Sequence, residues 1–126
     1  MYQLKYLDET RFIRRAKQYE KSNSDELFAL FDNLKTYKIF MDQHDNHQLA
    51  VKLGFVHRES AGVVALDQKG CIKKSARALR MYLFVFKDEK EKTIYVLTIG
   101  DKNTQKEDNN WCKGILKKHG LISERR

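Results

Sequence analysis

The stretch Leu79-Arg80-Met81-Tyr82-Leu83-Phe84-Val85-Phe86 is the most informative part of this 126-residue sequence. Alternate positions place Met81, Leu83 and Val85 on one face and Tyr82, Phe84 and Phe86 on the other. Because both faces are apolar or aromatic, the segment is predicted to be a central strand. A charged turn follows over residues 87–92, and residues 93–99 read as a returning strand. This pair predicts an antiparallel hairpin at the centre of the fold.

The rest of the sequence predicts two helices before that hairpin and one helix after it. The expected elements are a strand over 3–7, a helix over 9–21 capped by Asp8, a helix from Ser24 (its cap) to about 41, a strand over 62–66, and a helix from Thr104 (its cap) to 118, stopped by Gly120. Residues 49–55 fit either a strand or an irregular packed segment. The order β-α-α-β-β-β-α predicts one α+β domain over residues 1–126, with an N-terminal strand and helical hairpin packed on an antiparallel sheet and a C-terminal helix.

The composition excludes several classes of protein. With 41% hydrophobic and 33% charged residues, the chain is too apolar for a disordered tail and too charged for a membrane protein. No apolar run approaches the ~20 residues of a membrane span, and residues 1–5 do not resemble the start of a signal peptide. Cys71 and Cys112 are too few for a disulfide framework and lack metal-ligand spacing. A cytoplasmic location is therefore expected.

The formal net charge of +8 is unevenly distributed. Residues 1–46 contain eight basic and eight acidic residues, so the whole positive excess lies in residues 47–126. Residues 68–80 contain five basic residues and no acid: Lys69, Lys73, Lys74, Arg77 and Arg80. Localised positive charge favours binding to a polyanion, because each neutralised phosphate releases condensed counterions. The alternative is an ordinary solvated surface.

The chain resembles the RelE/ParE superfamily of bacterial toxins from toxin–antitoxin pairs. The resemblance lies in the helical hairpin after the first strand and in two motifs. Residues 79–84 (LRMYLF) are similar to the family's arginine-bearing strand "YR-hydrophobic-hydrophobic-Tyr", and residues 93–102 (TIYVLTIGDK) to its strand and exit "VYVL-x-hydrophobic-G-basic". The order of elements matches over nearly the whole chain, and the motifs match over residues 79–106.

This resemblance implies a small basic endoribonuclease that cleaves mRNA, often on the ribosome, without a metal or another cofactor. The sheet's concave surface would hold the RNA, the helices would support the sheet from behind, and a cognate antitoxin would bind the toxin in a hetero-oligomer and block its inhibition of growth. One branch of the superfamily inhibits DNA gyrase instead. The alternative function is accordingly a non-catalytic nucleic-acid- or protein-binding module of this fold, such as a ParE-like gyrase inhibitor or an inactive phage-derived copy.

Arg80, Lys102 and Lys106 form the candidate catalytic set. RNA cleavage through the 2′-hydroxyl needs positive charge at the phosphorane and groups that transfer two protons. Arg80 matches the family's strand arginine and is assigned to the phosphate, while Lys102 matches the basic residue after the last strand. Lys106 is a polar candidate in the exit segment, together with Glu107 and Asp108. Lys73, Lys74 and Arg77, with Arg80 and Lys102, are assigned to nucleic-acid binding.

Each assignment has a structural alternative. Arg80 could be a surface arginine paired with Asp67 or Glu107, and Lys102 an ordinary surface lysine. The exit segment lacks the arginine, tyrosine or histidine set found in many family members, so the general acid and base are not assigned.

Other residues of functional interest favour structural roles. His44 and His47 lack further ligands for a metal, and His57 is expected to be a loop histidine rather than a proton-transfer group. Trp111 is expected in the core or at an antitoxin contact. The aromatic side chains at positions 82, 84 and 86 are expected in the core rather than stacked on bases.

Overall fold

A five-stranded mixed sheet organises the computed structural model, which describes residues 1–69 and 78–123. The strands are β1 (Gln3–Tyr6), β2 (Val56–Arg58), β3 (Val63–Leu66), β4 (Leu79–Lys87) and β5 (Lys92–Asp101). Their spatial order is β1-β5-β4-β3-β2, with β1 parallel to β5 and every other pair antiparallel. The α+β class and the central hairpin are confirmed. The three-residue strand β2 was not predicted, because so short a segment has no clear alternation.

The helices largely follow the predicted periodicity. They are α1 (Glu9–Ser22), α2 (Ser24–His44), the single turn α3 (His47–Ala50) and α4 (Gln105–Lys118). Asp8 caps α1 as predicted, because its carboxylate accepts the Arg11 N–H at 3.0 Å. The cap predicted for α2 was wrong by one residue: Asn23 precedes the helix and Ser24 is its first residue. No helix within residues 1–69 and 78–123 combines the length and apolar character needed to span a membrane.

The main core lies between the sheet and the pair α1–α2. Leu30 and Tyr37 of α2 are fully buried there, as are Met81 and Leu83 of β4. These are the positions that the helical and strand periodicities place on inward faces. Each large apolar side chain buried in this way contributes roughly 1.5–3 kcal/mol to folding.

The opposite face of the sheet is covered by α4. Cys112 and Leu116 of this helix pack on Ala65, Tyr82 and Leu97, all of them fully buried. Burial raises the pKa of the Cys112 thiol to about 12, so the thiol stays protonated. The expectation that the helices support the sheet from behind therefore needs correction. The helices α1 and α2 lie on one face, and α4 covers the middle of the opposite face, which the resemblance assigned to RNA.

The two side-chain rows predicted for β4, one aliphatic and one aromatic, also lie on different faces in the structure. Met81, Leu83 and Val85 face α1 and α2, whereas Tyr82 and Phe84 belong to the α4 side. Tyr82 is fully buried, which agrees with a core position rather than a base-stacking platform.

Candidate functional site

Arg80 opens β4 directly opposite Gly100 of β5. Its side chain is 19% exposed and lies on the α4 side of the sheet, where Nη1 is 3.9 Å from Oε2 of Glu59. The acid predicted to pair with Arg80 in the structural alternative was Asp67 or Glu107, and the observed partner is neither. Glu59 follows the unpredicted strand β2, so the sequence pattern gave no reason to select it.

Glu59 connects Arg80 to the first turns of α4. Its Oε1 accepts hydrogen bonds from Gln105 Nε2 at 3.3 Å and Asn109 Nδ2 at 2.9 Å. The side chain of Glu59 is only 10% exposed. Through these contacts the Glu59 carboxylate holds the N-terminal part of α4 over the sheet.

Three buried polar atoms near this ion pair have no hydrogen-bond partner within the described part of the chain. They are Nε of Arg80, the hydroxyl of Tyr82 and Oδ1 of Asn109. The pKa of Tyr82 is raised, mainly by burial and further by the negative charges of Asp108 and Glu59. Buried polar groups are normally paired, so this interior differs from an ordinary apolar core.

His57 and Asp67 form a close pair beside this region. Nε2 of His57 lies 2.5 Å from Oδ2 of Asp67, and the two side chains are 31% and 13% exposed. The expectation that His57 is a loop histidine was wrong, because it is the middle residue of β2. The pairing depends on the antiparallel alignment of β2 and β3, in which His57 lies opposite Ala65.

The strand register places these groups on one face. Ala65 lies opposite both His57 and Tyr82, and all three positions belong to the α4 side. Leu66 lies opposite Met81, so Asp67 and Arg80, one step further along each strand, return to the α4 side. We call these residues the α4-side cluster: His57, Glu59, Asp67, Arg80, Gln105 and Asn109.

Lys102 and Lys106 lie at the same end of the sheet as Arg80, but both are exposed. Lys102 begins a 3-10 turn, Lys102–Thr104, and its N–H donates to the carbonyl oxygen of Ala78 at 3.1 Å. Lys106 belongs to the first turn of α4, next to Gln105 of the cluster. Within residues 1–69 and 78–123 neither lysine side chain has a hydrogen bond or an ion pair.

Lys73, Lys74 and Arg77, the other predicted nucleic-acid-binding residues, lie outside the described residues. The described positions on either side of them, Lys69 and Ala78, are at the end of the sheet where β3 ends and β4 begins. The predicted basic residues that the structure describes, Arg80, Lys102 and Lys106, thus share this end.

A second polar centre joins α1, β5 and α4, and no motif in the sequence predicts it. Asp108 is fully buried, and its Oδ1 is 3.5 Å from Nη2 of Arg11 and 3.4 Å from Nη2 of Arg15. The Arg11 guanidinium also stacks 4.0 Å from the centroid of the Trp111 ring. Its pKa is lowered, chiefly by burial and also by Arg15, with Asp108 acting in the opposite direction. This burial gives Asp108 a structural role, although its position in the exit segment made it a polar candidate for the site.

The arginines of this centre complete the edge of β5. Strand β1 pairs with β5 only from Thr93 to Val96. Beyond that point, Arg15 Nη1 donates to the carbonyl oxygen of Ile99 at 2.7 Å and Arg11 Nε donates to the Thr98 hydroxyl at 3.2 Å. Arg15 therefore satisfies one backbone carbonyl of β5 that β1 does not reach, and Arg11 bonds the neighbouring side chain.

The remaining histidines have local contacts. The ring of His44 stacks on Phe40 at a centroid distance of 4.5 Å, and Nδ1 of His47 lies 3.2 Å from the Tyr37 hydroxyl. Burial, followed by the nearby Arg58, lowers the pKa of His47. Among the described residues, no group of three or more His, Cys, Asp or Glu side chains is arranged to hold a metal ion.

No protein-family model, curated protein or solved structure matches this chain.

Proposed function

We propose that this protein is a RelE-like toxin that cleaves RNA in the cytoplasm without a metal and is neutralised by a cognate antitoxin. The observation that carries the proposal is the convergence of Arg80, Lys102 and Lys106 at one end of the sheet. Three cations near one another can bind successive phosphates and stabilise the additional charge of a phosphorane. The RNA would be mRNA, with the ribosome as one place of encounter.

The proposed roles of Arg80, Lys102 and Lys106 follow from how far each side chain is exposed to solvent. Lys102 and Lys106 are accessible to the RNA backbone, whereas Arg80 is held below them by Glu59. The 3.9 Å separation between Arg80 and Glu59 is long for a hydrogen bond. A phosphate oxygen would therefore compete with Glu59 for the Arg80 guanidinium. Lys73, Lys74 and Arg77 are assigned to backbone binding through the acid-free segment that contains them.

An antitoxin partner is supported by an apolar groove on the helical side of the molecule. The groove between α1 and α2 has a volume of about 370 Å³ and is lined by Tyr6, Ile13 and Phe28, among others. Ile13 is 44% exposed and Phe28 55%. Apolar side chains grouped in this way are typical of a protein-binding surface.

The second candidate function is a non-catalytic binding module of the same fold, such as a gyrase inhibitor. The observation that favours it is the low exposure of Arg80 beneath α4 together with its carboxylate partner. In that case Arg80 would position α4 through Glu59, and the exposed lysines would bind a nucleic acid or a protein without chemistry.

The test compares Arg80→Ala with Arg58→Ala. Arg58 is exposed on β2, and its change removes the same charge outside the α4-side cluster. Induced expression of the wild type without a partner is expected to arrest growth and fragment mRNA. Arg80→Ala should relieve both effects by slowing cleavage about 100-fold or more, whereas Arg58→Ala should leave both unchanged.

A melting curve of each purified variant separates loss of fold from loss of activity. Full toxicity in a folded Arg80→Ala variant would remove Arg80 from the site. Growth arrest with intact mRNA and defective DNA supercoiling would establish the gyrase-inhibiting alternative.

A further inference from the structure

We propose that His57 is the general base of this site and that Asp67 positions it. The proposal rests on the RNA-cleaving function proposed above and supplies the proton acceptor that the sequence resemblance left unassigned. Its basis is the His57–Asp67 pair on the same sheet face as Arg80.

The pair determines which ring nitrogen can act as a base. Asp67 is an acceptor when ionised, so Nε2 of His57 carries the proton that is donated to Oδ2 over 2.5 Å. Nδ1 is then the nitrogen with a free lone pair, and it has no hydrogen bond within the described part of the chain. With 31% of its side chain exposed, His57 remains accessible to a bound RNA strand.

The carboxylate of Asp67 is fixed by other contacts. Its Oδ1 accepts the Lys69 N–H at 2.8 Å, which leaves Oδ2 for the imidazole. Both backbone polar groups of Asp67 are also bonded. Its N–H donates to the carbonyl oxygen of Phe55 at 2.9 Å, and its carbonyl oxygen accepts from Asn33 Nδ2 at 2.8 Å. Such a fixed acceptor selects one tautomer and one orientation of the histidine ring.

The described histidines other than His57 do not have this arrangement. His44 is stacked on Phe40, and His47 is paired with a tyrosine hydroxyl rather than with a carboxylate. His119 follows α4, and its N–H closes that helix. His57 combines a carboxylate partner with a position on the sheet face that also carries Arg80.

The proposed step moves one proton to His57. The 2′-oxygen forms a bond to phosphorus, its proton passes to Nδ1 of His57, and the bond between phosphorus and the 5′-oxygen breaks. The leaving 5′-oxygen takes a proton from water, and the imidazolium then returns its proton to solvent. The products are a 2′,3′-cyclic phosphate and a free 5′-hydroxyl, with no oxidation or reduction.

The charges around His57 are balanced. Asp67 at the end of β3 and Glu59 on its own segment are acidic, while Arg80 of β4 and Lys69 after β3 are basic. The residues of α4 that reach this cluster, Gln105 and Asn109, are uncharged. Replacing Asp67 by Asn would remove one of the two acidic groups and, with it, the charged acceptor that orients the ring.

The experiment measures cleavage of mRNA in a translating extract and of a synthetic RNA by the wild type and by His57→Gln, Asp67→Asn and His44→Gln. His57→Gln should slow cleavage about 100-fold or more. His44→Gln changes an exposed histidine outside the cluster and should cleave at the wild-type rate. Binding of each variant to a 2′-O-methyl RNA, followed by fluorescence anisotropy, should remain unchanged because no proton transfer is needed.

Asp67→Asn tests the positioning role. Its rate should lie between those of His57→Gln and the wild type, and its neutral His57 ring should no longer hold the proton on Nε2 alone. Nitrogen NMR of the His57 ring in the wild type should find the proton on Nε2 in the neutral form.

The outcomes separate this proposal from the proposed function. A wild type that binds RNA but never cleaves it overturns both. A wild type that cleaves, with His57→Gln cleaving equally fast, overturns only the role of His57. Cleavage that leaves no cyclic phosphate, or a wild-type His57 protonated on Nδ1 alone, also overturns the proposed step.

Discussion

The two faces of the sheet differ in the kind of side chain that they bury. The face under α1 and α2 is covered by apolar side chains, among them Leu30, Met81 and Leu83, and its polar groups are paired at the rim. The face under α4 has a smaller apolar patch around Tyr82 and Leu97. Beside that patch it buries an ion pair and three polar atoms with no partner within the described residues. One face is therefore mainly an apolar core, whereas the other buries polar groups at some loss of stability.

The largest expected effect tests how tightly the α4 face is packed. A Cβ added at Gly100 would lie 1.8 Å from Oδ2 of Asp108 and 2.8 Å from Oγ1 of Thr104. Asp108 cannot move away easily, because it is fully buried and held by Arg11 and Arg15. Gly100→Ala should therefore lower the free energy of unfolding by about 2–3 kcal/mol in urea titrations.

Gly114, in the middle of α4, provides the matched control. A Cβ added there would have no neighbouring atom within 4 Å among the described residues. Gly114→Ala should raise the free energy of unfolding by about 0.5–1 kcal/mol through helix propensity. A Gly100→Ala protein as stable as the wild type would mean that the α4 face is loosely packed.

The second largest expected effect on stability concerns Asp45, at the rim of the sheet face that α1 and α2 cover. Asp45 accepts hydrogen bonds from the Tyr2 hydroxyl at 2.5 Å and from Nζ of Lys87 at 2.9 Å, and Nζ of Lys92 lies 3.0 Å away. The Tyr2 hydroxyl, followed by the two lysines, holds the pKa of Asp45 well below its usual range. A carboxyl with a lowered pKa in the folded state adds stability above its unfolded-state pKa of about 3.9. That stability is lost as the pH falls through the folded-state pKa.

Replacing Asp45 by Asn should accordingly destabilise the protein by about 1–2 kcal/mol at pH 7. The free energy of unfolding of the variant should also fall less steeply than that of the wild type below about pH 4. Urea titrations across this range measure both quantities. Glu89→Gln, a charge change in the exposed turn, should follow the wild-type curve, and equal slopes for Asp45→Asn and the wild type would contradict the assignment.

The smallest expected effect compares one buried tyrosine from each face. The Tyr37 hydroxyl contacts Nδ1 of His47 on the α1–α2 face, whereas the Tyr82 hydroxyl has no partner in the described part of the chain. Tyr37→Phe should cost about 1 kcal/mol, and Tyr82→Phe should be neutral or slightly stabilising. Thermal unfolding of the pair measures the difference. A larger loss for Tyr82→Phe would show that the Tyr82 hydroxyl has a hydrogen-bond partner. The two faces would then not differ in the pairing of their buried tyrosines.

The sequence predicted the elements whose pattern is long and local. The β4–β5 hairpin and the helices α1, α2 and α4 were found because alternation or helical spacing continues over many residues. The α4-side cluster was only partly predicted: Arg80 was identified from a motif, but its partner Glu59 was not. Glu59 lies 21 positions before Arg80, and the two meet because the three-residue strand β2, which ends just before Glu59, joins the sheet. The Arg11–Asp108 contact spans 97 positions and depends on the docking of two helices, and no periodicity signals such a pairing.

The short ends of the sheet have a consequence for behaviour in concentrated solution. The outermost strands, β1 and β2, have four and three residues, and in the part of β5 beyond β1 the carbonyl oxygen of Ile99 is bonded by Arg15 of α1. An incoming extended chain would find few unpaired backbone groups in a row, so strand addition would gain little. Within the described residues, the strongly apolar β4–β5 hairpin is thus placed inside the sheet, and only short strands stand at the edges where another chain could pair.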